Sequence, residues 1–277
     1  MTPAIDSAAN PRIKRLKKLF TDAGFRKAEG LWVVEGIRQA EEAVKAYCPT
    51  PGLVECFFVG GETSERGEAL KAALVHKGVE VVTVGRGVFR SFSDTATPQG
   101  VCLVVEAPVW DPQFMNHSGG PLLVADQIRE PGNLGTLFRT AAAAGAGGLL
   151  LTRGTVDPGN PKCVRASAGT IFHLPFIQLE SPEEARGILT RPIYATSGAG
   201  GVPPEELPLD KPFALVLGGE AEGLGARWEG LVDSLITIPM GKGVESLNVA
   251  AAGAAILFEA ARQRRKTGSP DRPAVLL

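Results

Sequence analysis

Residues 121–152 read PLLVADQIREPGNLGTLFRTAAAAGAGGLLLT, and the order of their patterns decides the fold class. PLLVADQ (121–127) is a short, continuous apolar run with the length of a buried strand. A charged turn broken by Pro131 and Gly132 follows, and residues from about 133 to 144 carry the composition of a helix. GGLLLT (147–152) is a second apolar run. Strands alternating with helices imply a parallel or mixed sheet with helices packed on it. Runs that are continuous, not alternating, point to strands covered on both faces. Around the small residues Thr140–Ala144 stand Arg129, Glu130, Asn133 and Arg139. A solvated turn and close helix packing would explain them without any site.

The same alternation extends outward. IYATS (193–197), FALVLGG (213–219) and LITIPM (235–240) read as further strands, and a long helix closes the chain from about Ser246 to Arg265. Upstream, LWVV (31–34), VECFFVG (54–60), VEVVTVG (79–85) and VCLVVEA (101–107) alternate with helical patterns. The segment 108–120, PVWDPQFMNHSGG, is rich in turn formers and lacks periodicity. The expected organisation is therefore an N-terminal α/β domain over 1–107, a linker over 108–120, a second α/β domain over 121–266, and a tail over 267–277.

Composition narrows the class. The chain has 277 residues, 44% hydrophobic and 21% charged, with a formal net charge of -1. That is globular, and it is no global polycation. The charge is uneven, however. The first thirty residues hold Arg12, Lys14, Arg15, Lys17, Lys18, Arg26 and Lys27 against Asp6, Asp22 and Glu29, and Arg262, Arg264, Arg265 and Lys266 cluster near the end. Cys48, Cys56, Cys102 and Cys163 form no CxxC pair, and His76, His117 and His173 are scattered, so no metal is expected. No secretory leader and no membrane span are read from the sequence, which predicts a cytoplasmic protein.

Three strands of the second half end in glycine-bearing turns: IREPGNLGT after the first, GEAEGLG after FALVLG, and GKGVESLN after LITIPM. Ligands in open α/β sheets bind beyond the carboxyl ends of the strands, so these loops are candidates for one pocket. Neither a G-x-G-x-x-G nor a P-loop pattern is present at them, which argues against a dinucleotide or nucleotide-phosphate site.

GNLGTLFRTAAAAGAGG, LVLGGEAEGLG and IPMGKGVESLNVAAAGAAILFEAARQR, in that order, resemble the three motifs of the SpoU/TrmH branch of the SPOUT methyltransferases. NPRIKRLKKLF, WVVEGIRQAEEA and FSDTATPQGVCLVV resemble the L30-like substrate-binding domain that often precedes that catalytic domain. The resemblance implies an S-adenosylmethionine-dependent RNA ribose 2′-O-methyltransferase. It implies ribosomal RNA as first substrate and transfer RNA as second; a non-catalytic RNA binder retaining the scaffold is the alternative. It also implies a parallel sheet with a C-terminal trefoil knot, and a homodimer in which one subunit's catalytic Arg stands near its partner's cofactor.

By the same resemblance the catalytic residues fall on Asn133, Arg139, Glu220, Ser246 and Asn248. The cofactor contacts fall on Leu217, Gly218, Gly219, Glu220, Ile238, Met240, Ser246 and Leu247. Arg12, Lys14, Arg15, Lys17, Lys18 and Arg129 are the expected phosphate contacts. Helix capping by Asn133, Ser246 or Asn248, an Arg139–Glu130 pair, and core packing by the apolar residues are the plain alternatives. Where the family has Gly-Asn-Glu-Gly, this chain has Gly218-Gly219-Glu220-Ala221, which puts one polar contact in doubt. The spacing of six between Asn133 and Arg139 predicts Asn133 in the loop at the helix start and Arg139 a turn or more further on.

Overall fold

The computed structural model describes residues 4–47, 52–61, 64–113, 115, 119–219 and 224–268. It resolves into two compact units: residues 1–109 together with 157–172, and residues 110–156 together with 173–277.

The first unit is built on a four-stranded mixed sheet. Its strands are β1 (Leu31–Glu35), β2 (Leu53–Val59), β3 (Glu80–Val84) and β4 (Val101–Glu106), in the order β1-β4-β2-β3. β4 runs antiparallel to both β1 and β2, while β2 and β3 are parallel. The basic N-terminal segment is the helix Pro11–Thr21. Asn10 caps it by accepting from the Arg12 amide, and it starts on a proline whose missing N–H costs nothing there. Ile13, Leu16, Leu19 and Phe20 form its buried stripe and pack with Phe57, Phe89 and Phe92. The segment 157–172 belongs to this unit through ring contacts of Phe172 with Trp32 and Tyr47 and an Arg26–Asp157 ion pair at 2.7 Å.

The second unit holds the βαβ pattern. Its six strands are β5 (Leu122–Asp126), β6 (Gly148–Thr152), β7 (Phe176–Leu179), β8 (Ile193–Thr196), β9 (Ala214–Gly218) and β10 (Ser234–Ile236). All neighbours are parallel, in the order β10-β8-β9-β5-β6-β7. β5, β6 and the first four residues of β9 are buried throughout, as their continuous apolar runs require. The chain proceeds outward from β5 to β7, then resumes on the other side and places β9 against β5. The direction of winding therefore reverses at β5/β9, and all carboxyl ends open to one edge.

Two helices frame that edge. Helix Pro131–Ala143 and the C-terminal helix Val249–Thr267 pack against each other. Gly253 permits the approach: a Cβ there would lie 2.7 Å from Leu217 Cδ1 and 2.9 Å from Leu137 Cδ2. Part of the C-terminal basic cluster is structural. Arg262 pairs with Glu259 at 2.6 Å, and the buried Arg264 donates to the Ala144 carbonyl at the end of the first of these helices.

Candidate active site

The carboxyl end of β5 is tightly organised. Asp126 is buried, and both of its carboxylate oxygens accept from Arg227 Nη2 at 2.6 and 2.7 Å, while Thr152 donates to Oδ1. A charge this buried is tolerable only when paired and hydrogen-bonded. Gln127 next adopts a left-handed φ of 55°, which turns the chain sharply away from the strand. Val156 N–H donates to the Ile128 carbonyl at 2.8 Å, tying this loop to the one after β6.

The helix then begins two residues earlier than the sequence suggested. Glu130 is its N-cap and accepts from the Asn133 amide at 2.6 Å; Pro131 is its first residue. Asn133 thus sits inside the first turn, not in the loop, because a capping carboxylate and a proline together start the helix ahead of it. Glu130 is spent on this cap, and Arg139 forms no ion pair with a described residue. The plain alternative of an Arg139–Glu130 pair is not what the chain adopts.

Asn248 caps the C-terminal helix, its Oδ1 accepting from the amides of Ala250 at 2.9 Å and Ala251 at 3.3 Å. The helix starts three residues later than Ser246 because this cap closes it there. Asn248 does more than cap: its Nδ2 donates to Asn133 Oδ1 at 3.0 Å. That bond joins residues 115 positions apart and brings the first and third glycine-bearing segments together.

Beside them lies a cavity of about 210 Å³. Its walls come from the ends of three adjacent strands and the start of the C-terminal helix. Thr196 ends β8 and Ser197 and Gly198 follow it, Gly218 ends β9 and Gly219 follows it, and Ile236 ends β10 with Ile238 and Met240 beyond it. Glu245, Ser246, Leu247, Val249 and Ala252 complete it. Of the expected cofactor contacts, Gly218, Gly219, Ile238, Met240, Ser246 and Leu247 meet here. The Leu217 side chain is fully buried beneath the C-terminal helix and takes no part in the lining. Glu220 lies outside the described residues. Arg139 and Arg129 are exposed and are not lining residues.

Thr196, Ser197, Gly198 and Glu245 were not anticipated. The signal for the first three was the polar and glycine run after IYAT, but only the strand order puts β8 beside β9. Gly219 also acquires a reason. A Cβ there would come within 2.8 Å of the Gln127 carbonyl oxygen, so this backbone leaves no room for the asparagine that the family usually has.

Among the described residues no group of three or more His, Cys, Asp or Glu is placed to hold a metal, and no helix is long and apolar enough to cross a membrane. In the first unit Arg12 is engaged by Glu55 and Glu80, and Arg15 by Glu29 and Glu55. Lys14 and Lys18 are exposed and Lys17 is half-buried.

Residues 120–258 match the SpoU rRNA methylase family. The chain belongs to that family. Residues 10–103 match the MRM3-like substrate-binding domain, in the half of the chain expected to bind substrate. The chain is 31% identical over 259 residues to the 23S rRNA (guanosine(2553)-2′-O)-methyltransferase RlmP of Bacillus subtilis, covering 92% of this chain and 97% of that one. Among solved structures it resembles the AdoMet-bound rRNA methyltransferase of Sinorhizobium meliloti, at TM-score 0.82 and 28% identity over 94% of this chain and 97% of that one. The SpoU methyltransferase AviRb of Streptomyces viridochromogenes, in complex with AdoMet, matches at TM-score 0.80 and 29% identity, over 93% of this chain and 100% of that one.

Proposed function

We propose that this protein transfers a methyl group from S-adenosylmethionine to a ribose 2′-hydroxyl of ribosomal RNA. The observation that carries this reading is the cavity at the ends of β8, β9 and β10, with the Asn248–Asn133 bond joined to its wall at Leu247 and Val249. Its residues suit the cofactor: Ile236, Ile238, Met240 and Leu247 offer apolar surface to an adenine, and Gly198, Gly218 and Gly219 allow close backbone approach. Both solved relatives cited above hold AdoMet.

When bound, S-adenosylmethionine supplies an activated methyl group whose carbon–sulfur bond breaks as the oxygen–carbon bond forms, the electron pair leaving on sulfur. The protein's share is alignment and electrostatics. Asn133 and Asn248 orient each other and present amide groups to the ribose. Arg139 stays protonated, so its role is to hold a neighbouring phosphate and stabilise the developing alkoxide while the hydroxyl proton passes to solvent. Its exposure, away from the cavity lining of its own chain, favours service to a partner's site in a homodimer. The C-terminal knot belongs to the same reading.

Phosphate contacts in the N-terminal unit fall first on Lys14, Lys17 and Lys18, since Arg12 and Arg15 would have to exchange intramolecular carboxylates for phosphate. A cytoplasmic location belongs to the same reading. Labelled S-adenosylmethionine incubated with ribosomal and transfer RNA tests the proposal. Incorporation into ribosomal RNA as a 2′-O-methyl nucleoside is expected. Label in transfer RNA alone would move the substrate assignment, and label in neither would end the enzymatic reading. A stable monomer by light scattering would contradict the shared site.

A further inference from the structure

The cavity carries one charge for which the chemistry above has no use. Among the described residues that line it, Glu245 is the only ionisable one; the others are glycines, hydroxyl-bearing residues and apolar residues. Glu245 is exposed, lines the cavity, and makes no hydrogen bond or ion pair with a described residue. Within the described lining of one chain, that carboxylate is the only formal charge. It also stands directly before Ser246 and three residues before Asn248, whose side chain is bonded to Asn133. That is the end of the cavity where the reacting centre belongs.

The two forms of the ligand differ in charge. S-adenosylmethionine carries an ammonium, a carboxylate and a sulfonium, for a net charge of about +1 near neutral pH. Its product, S-adenosylhomocysteine, has a neutral thioether where the sulfonium was and no net charge. Shape and hydrogen bonding are almost the same in both. Glycines, hydroxyls and aliphatic side chains carry no charge by which to tell them apart, whereas a carboxylate placed beside the sulfur would.

Resting on the assignment of this cavity to S-adenosylmethionine, we propose that Glu245 is the counter-charge of the sulfonium. It makes the site prefer the charged methyl donor to the spent product. After transfer the sulfonium charge is gone, the carboxylate is again without a partner, and the product leaves more readily than the donor. Because the position is open to solvent, the preference is modest, about 3- to 10-fold.

Titration calorimetry with both ligands, on the wild-type protein and on Glu245→Gln, tests this. The substitution keeps size and removes the charge, exchanging one acceptor oxygen for an amide donor. The donor is expected to bind Glu245→Gln about 3- to 10-fold more weakly than wild type, with the product changed less than twofold. Glu245→Asp should retain the preference. In the wild type, raising the salt concentration should narrow the ratio of the two affinities.

Equal weakening of both ligands would overturn the proposal, because it would mean contact with the shared ammonium or a disturbed loop. Unchanged affinities for both would overturn it as well. Wild-type protein that binds neither ligand would refute the cavity assignment itself, and the inference with it. Wild-type binding with an unaltered ratio in Glu245→Gln would remove only the role given to Glu245. Should Glu245→Gln fail to fold, the wild-type affinity ratio still decides the matter, since a ratio unchanged by salt would overturn the proposal.

Discussion

Asn248 holds two positions at once, and its two atoms separate them. Oδ1 caps the C-terminal helix and Nδ2 donates to Asn133. Asn248→Ala loses both and should cost about 1 kcal/mol of stability, read by urea denaturation, along with activity. Asn248→Asp keeps the cap but can no longer donate, so Asn133 must reverse its amide to meet it. Near-native stability with methyl transfer reduced about tenfold is expected from that variant. Arg139→Ala should lower methyl transfer by about 10²- to 10³-fold while the cofactor dissociation constant stays within twofold. A parallel loss of cofactor binding would contradict the role given to Arg139. At this scale the sequence was informative about identity and poor on geometry. Asn133 and Asn248 were both legible as site residues and as possible caps, yet their mutual bond spans 115 positions and no local pattern encodes it. The start of the Asn133 helix was missed because Glu130 was read as turn surface, when it is the cap.

The elements around the cavity are held by close approaches that small residues alone allow. Gly253 brings the C-terminal helix onto Leu217 and Leu137, and the alanine-rich helix Pro131–Ala143 lies opposite it. Gly253→Ala would press a methyl group into both leucines. A loss of about 1–3 kcal/mol is expected, seen as a lower urea midpoint with an unchanged slope. Gly219→Asn, which restores the family's usual residue, should weaken cofactor binding instead of improving it, because its Cβ meets the Gln127 carbonyl. Calorimetry on that variant checks the point, and tighter binding would show that the Gln127 turn gives way. Nearly every strand was legible from its apolar run. Their order was not: β8 and β9 are joined by loop segments that say nothing of which neighbour each takes, so the contribution of Thr196 and Ser197 to the cavity could not be read.

Over the whole chain, strand and helix patterns stop and restart at 108–120, and the two compact units part at 109/110. The packing of residues 157–172 with the N-terminal unit does not follow from those patterns, since their helical pattern resembles that of the flanking segments. The mixed pairing of the first sheet likewise depends on β4 entering between β1 and β2, a long-range choice. Burial there has a consequence for pH. Desolvation holds the thiols of Cys56 and Cys102 well above the ordinary cysteine value. A pKa raised in the folded state contributes stability below the unfolded value, near 8.5, and that contribution fades as pH rises further. Stability should therefore fall above about pH 8.5, and both thiols should resist alkylation at pH 8 until denaturant is added, as peptide mass mapping would show.

Methyl transfer to a ribose oxygen is tested by alkaline hydrolysis of the treated RNA. A 2′-O-methyl group removes the nucleophile that cleaves the adjacent phosphodiester. Ribosomal RNA incubated with the protein and S-adenosylmethionine should show a gap in its hydrolysis ladder at a discrete nucleotide, absent with Arg139→Ala. Incorporated methyl label with an unbroken ladder would place the methyl on a base and contradict the account.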